Sequence, residues 1–220
     1  MKIFLDSVDV EEIREINQLG IIDGITTNPS LFSKIKYDFR STIIQICKII
    51  QTDISIEVVA NDFDGMVKQG NKILEIANNI VLKLPMTWDG IKACRYFADR
   101  EKKVNMTLCF SVNQALIAAK AGATYISPFI GRLDDIGEEG MNLINNIRQI
   151  YDNYQEKSQW QTKILAASIR NFTHVAQCAM SGVDIATMSG KIIKQLITHP
   201  LTIKGLEVFN NDWNNSGLEI

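Results

Sequence analysis

Metal ligands are what this chain has least of. Its 4 cysteines, Cys47, Cys94, Cys109 and Cys178, never fall at C-x-x-C spacing, and its 2 histidines, His174 and His199, are not spaced as ligands. That pattern excludes the usual zinc signatures and a disulfide framework. The cysteines are expected as reduced, small core residues, the histidines as structural or surface residues, and no metal site is expected. Charge of one sign is lacking too. The 23 Lys+Arg and 25 Asp+Glu leave a formal net charge of −2, with no electrostatic footprint for nucleic acid or an anionic membrane. No stretch stays apolar for the roughly 18 residues that a membrane-spanning helix needs. The opening run, Met1 to Asp6, carries an acid too early for a signal peptide and enters a strand pattern at once. No linker, low-complexity stretch or second domain is visible. The expectation is a soluble, cytoplasmic protein of one domain, residues 1–220.

What the chain has in quantity is alternation. Short apolar runs, read as strands, cover Lys2–Asp6, Asp23–Thr27, Ser55–Val59, Ile80–Leu84, Val104–Cys109, Tyr125–Pro128, Lys163–Ala167 and Asp184–Thr187. Amphipathic runs between them read as helices. These are Asp9–Leu19, then Ser30–Ile35 and Phe39–Gln51 with a break around Lys36–Asp38, then Asp62–Asn78, Thr87–Arg100 and Ser111–Ala121. A long helix with an acidic first turn is expected over Leu133–Tyr154, and others over Asn171–Met180 and Gly190–Ile197. Eight strands, each followed by a helix, imply a parallel sheet, and eight such units close most naturally into an α/β barrel of the (β/α)8, TIM type. An open doubly wound sheet is the rival. It would want fewer strands, or a glycine-rich phosphate loop after the first, and that strand ends Leu5-Asp-Ser-Val8 instead. One further helix, Leu201–Trp213 within an appended segment 201–214, lies outside the eightfold pattern and is a candidate for a subunit interface.

The fourth strand carries a lysine where a core residue belongs. Strand side chains alternate, so Leu82, Leu84 and Met86 share one face while Val81, Lys83 and Pro85 share the other. An unpaired buried ammonium is costly, and a desolvated amine that sheds its proton is the nucleophile that condenses with ketones and aldehydes. The plainer alternative is a strand-end lysine reaching for water. In a parallel barrel, function gathers at the carboxyl ends of the strands. Asp6 ends the first, Thr26 and Asn28 share a face on the second, Glu57 lies on the third, and Asn105 and Thr107 share a face of the fifth. The sixth presents Ser127, with Phe129 and Arg132 after it, and Ser168 and Arg170 share a face of the seventh. Seven strands thus aim polar or ionisable groups at one end, which makes a site around Lys83 the better account than a solvated rim.

Asp6 and Glu57 can pair with lysine or arginine, and the same carboxylates can move protons. Thr107 beside Glu57 could hold a water between them. Asn28 and Asn105 offer amides to orient substrate hydroxyls. Arg132, Ser168, Arg170 and the helix start at about Asn171 are the parts of a phosphate site, unless the arginines pair with acids such as Asp134 or Asp135. Lysine, carboxylates and phosphate site together specify Schiff-base chemistry on a phosphorylated sugar.

Six stretches of this chain resemble the small transaldolases, the short branch of a family that also contains fructose-6-phosphate aldolase. They are Lys2–Asp6, Gly24–Ser30, Leu82–Thr87, Gly122–Asp135, Ala166–Arg170 and His199–Gly205. The resemblance covers essentially the whole length. It implies a barrel in which Lys83 forms a Schiff base with fructose 6-phosphate or sedoheptulose 7-phosphate. Cleavage releases an aldose phosphate and leaves a dihydroxyacetone unit, which passes to erythrose 4-phosphate or glyceraldehyde 3-phosphate in the non-oxidative pentose phosphate pathway. Asp6 is implied to handle the C4 hydroxyl proton, Glu57 and Thr107 the water, Asn28 and Asn105 the three-carbon unit. Ser127 is implied to bind substrate hydroxyls, Thr26 and Phe129 to line the substrate site, and Arg132, Ser168 and Arg170 to hold the phosphate. No cofactor is implied, and the small branch is similar to ring-shaped homo-oligomers, decamers or pentamers, in which the C-terminal helix reaches a neighbour. Fructose-6-phosphate aldolases look different at two positions, with glutamine in place of Glu57 and tyrosine in place of Phe129, so both positions favour a transaldolase. The chain departs from the family in Met188-Ser-Gly190, which lacks a frequent proline, at Cys109, and in its tail Asn214–Ile220.

Overall fold

The computed structural model describes residues 1–35, 37–158 and 160–219. Eight parallel strands close into a barrel in sequence order: β1 (Lys2–Asp6), β2 (Gly24–Thr26), β3 (Ile54–Glu57), β4 (Ile80–Pro85), β5 (Val104–Cys109), β6 (Tyr125–Pro128), β7 (Lys163–Ala166) and β8 (Ile185–Met188). β8 pairs back onto β1, with Phe4 opposite Thr187. The helices are α1 (Val10–Asn17), α2 (Pro29–Phe32), α3 (Phe39–Ile49), α4 (Phe63–Leu74), α5 (Trp88–Ala98), α6 (Val112–Lys120), α7 (Ile130–Asp134), α8 (Gly140–Ser158), α9 (Phe172–Met180), α10 (Gly190–Ile197) and α11 (Pro200–Ser216). The expected break between the second and third helical runs includes Lys36, which lies outside the described residues, as does Ile220 of the tail.

The local chemistry explains the alternation. Each short strand carries at least one β-branched residue, and its central residues are buried on both faces, as in parallel barrel strands. Each chain reversal then meets a capping side chain. Asp62, Thr87, Ser111 and Asn171 accept backbone N–H groups of α4, α5, α6 and α9, satisfying donors that a helix start leaves free. Alternate strand residues divide the core in two. Ile25, Ile56, Leu82, Leu84, Met106 and their neighbours pack outward against the helices. Phe4, Val81, Tyr125, Leu165 and Ile185 point inward and plug the lower barrel, with Phe4 and Tyr125 edge to face at 6.3 Å. The interior is therefore solid below and free to hold polar groups above. Three of the cysteines are buried and all four are free. Burial pushes the Cys94, Cys109 and Cys178 thiols up to about 12. No helix among the described residues is long and apolar enough to cross a membrane.

One expected element is corrected. The run Leu133–Tyr154 is not a single helix but the end of α7, a turn, and α8. Gly137 adopts φ +83°, a left-handed conformation that stops α7. Asp134, expected in an acidic first turn, instead accepts the Gly140 N–H at 2.9 Å and so bridges the break. α11 follows α10 through Thr198 and His199. It buries none of its residues, and Leu206, Phe209 and Trp213 form an exposed apolar stripe at i, i+3 and i+7.

Candidate active site

A cavity of about 310 Å³ opens at the carboxyl ends of the strands. Lys83 stands at its floor, only 4% exposed. β3, β4 and β5 set Glu57, Lys83 and Asn105 in one row across the barrel wall. The lysine nitrogen lies 2.9 Å from the Glu57 carboxylate and donates at 2.9 Å to the carbonyl of Thr27. The sequence offered Asp6 and Glu57 as possible partners for a lysine or arginine, and Glu57 is the one that pairs with this ammonium. The barrel makes that pair, because equal register on adjacent parallel strands brings the two inward side chains together.

Asp6, Thr26 and Asn28 form the wall beside the lysine. The Thr26 hydroxyl donates to Asp6 at 2.8 Å. Desolvation raises the Asp6 carboxyl above the usual carboxylate range and outweighs the opposing pull of Lys83 and the hydrogen bonds from Thr26 and Asn28. A carboxyl held in that way is suited to exchange a proton with a bound hydroxyl. Asn28 serves twice, since its side-chain oxygen also caps α2 by accepting the Leu31 N–H at 3.0 Å.

Three of the predicted residues do not line this cavity. Asn105 lies fully buried beneath it, donating to Ser55 at 3.1 Å and accepting from Ser127 at 2.7 Å. It therefore fixes Ser127, which does reach the cavity, and Ser55 is a buried member of that network which sequence reasoning missed. Thr107 is also fully buried, and its hydroxyl has no hydrogen-bond partner among the described residues. An orphaned buried hydroxyl one step from Glu57 and Lys83 is the kind of group that a bound water completes. Glu57 itself lines a neighbouring apolar groove, with Pro29, Phe32, Val59 and Ile73, while its carboxylate faces the lysine.

The far side of the cavity is basic. Arg132 comes from α7, with its guanidinium carbon 4.9 Å from the centre of the Phe129 ring. Arg170 and Ser168 follow β7. Ser168 is a non-glycine residue at φ +58°, a conformation that costs of order 1–2 kcal/mol and is kept mainly where a site demands it. Gly131 explains how Arg170 reaches the cavity, because a methyl group there would sit 2.5 Å from the Arg170 side chain. Arg170 ion-pairs with Asp135 at 2.6 Å, both largely exposed, whereas Asp134 faces His174 and Arg132 stays on its aromatic ring. The pairing weighed from the sequence thus holds for one arginine. The eighth strand also contributes an inward polar group, Thr187, which the sequence reading overlooked. Thr187 lies two residues after the inward Ile185, so strand alternation puts it on the same inner face.

Residues 3–218 match the family described as Transaldolase/Fructose-6-phosphate aldolase. Over all 220 residues the chain is 54% identical to a probable transaldolase of Cereibacter sphaeroides, covering 99% of that protein. It is 52% identical to a probable transaldolase of Dinoroseobacter shibae and 51% identical to one of Bartonella bacilliformis, in each case over 100% of both chains. Among solved structures, a thiamine phosphate pyrophosphorylase from Pyrococcus furiosus superposes with a TM-score of 0.56 at 16% identity, covering 86% of this chain and 85% of that one. That similarity speaks for the barrel alone.

Proposed function

The chain belongs to the transaldolase/fructose-6-phosphate aldolase family, on its transaldolase side, and from that premise we propose that Lys83 carries a dihydroxyacetone unit between sugar phosphates. The observation that carries this reading is the lysine nitrogen buried at the cavity floor against Glu57. The amine attacks the keto carbon of fructose 6-phosphate or sedoheptulose 7-phosphate. Glu57 and a water on Thr107 move the protons as the carbinolamine loses water to the Schiff base. Asp6 then takes the C4 hydroxyl proton, the C3–C4 bond breaks, and the electron pair passes into the enamine on Lys83 as an aldose phosphate departs. The enamine attacks the aldehyde of glyceraldehyde 3-phosphate or erythrose 4-phosphate, Asp6 returns the proton, and water releases the new ketose. These are steps of the non-oxidative pentose phosphate pathway, in the cytoplasm, carried out by one domain spanning residues 1–220.

Phe129 supports transfer over release, because a ring without a hydroxyl has no proton to give the enamine. The aldolase alternative is not favoured, since the relatives bear the transaldolase name. With fructose 6-phosphate and erythrose 4-phosphate together, transfer should greatly outrun the dihydroxyacetone released from fructose 6-phosphate alone. Equal rates would refute the transferase reading. Borohydride reduction with fructose 6-phosphate separates catalysis from mere sugar-phosphate binding, since only the former leaves an adduct on Lys83.

Arg132, Ser168 and Arg170 hold the phosphate. Among the described residues no acid lies within ion-pair distance of Arg132, so Arg132→Ala should raise KM for fructose 6-phosphate by roughly ten- to several hundredfold, with kcat changing far less. Steady-state kinetics on both substrates would check it. The exposed stripe on α11 fits a subunit interface in a homo-oligomer, a pentamer or decamer by family likeness. The double variant L206D/F209D should lower the mass measured by light scattering while the circular dichroism of the barrel is retained.

A further inference from the structure

The Asp6 carboxylate does not end at Thr26. The Thr26 hydroxyl lies 2.8 Å from Asp6 and 2.6 Å from the hydroxyl of Thr187. A hydroxyl has one proton, and Thr26 spends its own on Asp6. The short contact with Thr187 therefore has one polarity: Thr187 donates and Thr26 accepts. Topology makes the row possible. β2 and β8 are the two neighbours of β1, and Asp6 is level with Thr26 while Phe4, one inward step below, is level with Thr187. The two threonines thus close over Phe4 from opposite sides and meet beneath the carboxylate. Both are nearly fully buried, so each has little surface left for water beside these bonds.

We propose that Thr187 is a positioning residue that, through Thr26, holds the Asp6 carboxylate in its proton-accepting state and orientation. Donation by Thr187 draws charge from the Thr26 oxygen and leaves its proton more strongly bound by Asp6, the mutual polarisation expected of hydrogen-bond chains in a poorly solvated interior. The charged groups facing Asp6 are Lys83 from β4, which favours the carboxylate, and Glu57 from β3, which opposes it. The polar ones are Thr26 and the Asn28 amide. Thr187 acts on this balance without touching the carboxylate. When Asp6 takes a proton, the polarity of the row is free to reverse, so the same pair serves both states of an acid–base group. Thr187 also reaches the cavity, yet this role needs no contact with substrate.

The inference rests on the reading of Asp6 as the proton acceptor, and the test separates the two. Thr187→Val removes the hydroxyl and keeps the shape, while Thr187→Ser keeps the hydroxyl and removes the methyl. The Asp6 carboxyl is titrated directly, by carbon-13 NMR of aspartate-labelled protein with Asp6→Asn to assign the signal. Its midpoint should move to higher pH in Thr187→Val and return toward the parent value in Thr187→Ser. In transfer assays, Thr187→Val should lower kcat about three- to tenfold at neutral pH, the effect of one neutral hydrogen bond. The acid limb of its kcat/KM profile should move upward with the NMR midpoint, KM should change little, and Thr187→Ser should restore the rate. An unmoved Asp6 signal in Thr187→Val, or equal damage in Val and Ser, overturns the inference in favour of plain packing. A shifted signal with an unshifted rate profile upholds the relay and instead refutes Asp6 as the proton acceptor.

Discussion

Lys83→Met leaves a folded barrel that transfers nothing. Methionine nearly matches the lysine stem in length and supplies no amine, so no bond to the keto carbon can form and the covalent route is closed. Losing a covalent nucleophile removes several powers of ten, about 10⁴-fold or more, and the residue left is background. Borohydride should trap no adduct on the variant. Its substrate affinity should be kept largely, because Arg132, Ser168 and Arg170 lie across the cavity from the substitution. Stability should fall by a few degrees at neutral pH, since Glu57 loses the partner that lies 2.9 Å away and the Thr27 carbonyl loses its donor. A variant with wild-type melting, an intact spectrum and measurable transfer would remove the amine from the mechanism.

Asp6→Asn should separate the two halves of the reaction. Schiff-base formation depends on Lys83 and Glu57 and should still be trapped by borohydride. Cleavage needs a group to take the C4 proton, and an amide cannot. A positioned acid–base group is worth about 10² to 10⁴ in rate, and kcat should fall by that much with KM nearly unchanged. The same variant should be more stable than the parent at pH 7. Desolvation raises the Asp6 carboxyl in the folded state above the range of an ordinary aspartate, so the ionised form opposes folding. Asn28 and Thr26 can both hydrogen-bond the replacement amide. The gain should shrink as pH falls and vanish below about 3.8, where the carboxyl is protonated in folded and unfolded chains alike. Thermal melting of both proteins from pH 8 to pH 3 would show it. A parent that gains stability on the parent–variant comparison as pH rises would contradict the desolvation argument.

Much of this was legible because parallel barrel strands leave little choice. Alternation fixes which side chains face inward, and the βα repeat count fixes closure, so Asp6, Thr26, Lys83 and Ser127 could be set on the inner wall from spacing alone. Depth could not. Asn105 and Thr107 face inward as expected yet lie below the cavity or behind it, because stagger between strands decides the layer at which a side chain ends. The run after the sixth strand misled for another reason. Its apolar spacing continues through Gly137, and only the left-handed turn there, with Asp134 reaching back to Gly140, reveals two helices. Thr187 is placed on the inward face by alternation, but a lone threonine signals function only when its partner is known. The exposed stripe of α11 can be counted from the sequence, since Leu206, Phe209 and Trp213 recur at helical spacing.

The Arg132 and Arg170 side chains are exposed at the rim, while Lys83 is only 4% exposed on an interior strand. On the proposed reading, substitution of these two exposed side chains should alter how long a sugar chain is accepted without repacking anything around the amine. The chemistry and the choice of acceptor can therefore drift independently, and variation in one is free to accumulate while the other stays fixed.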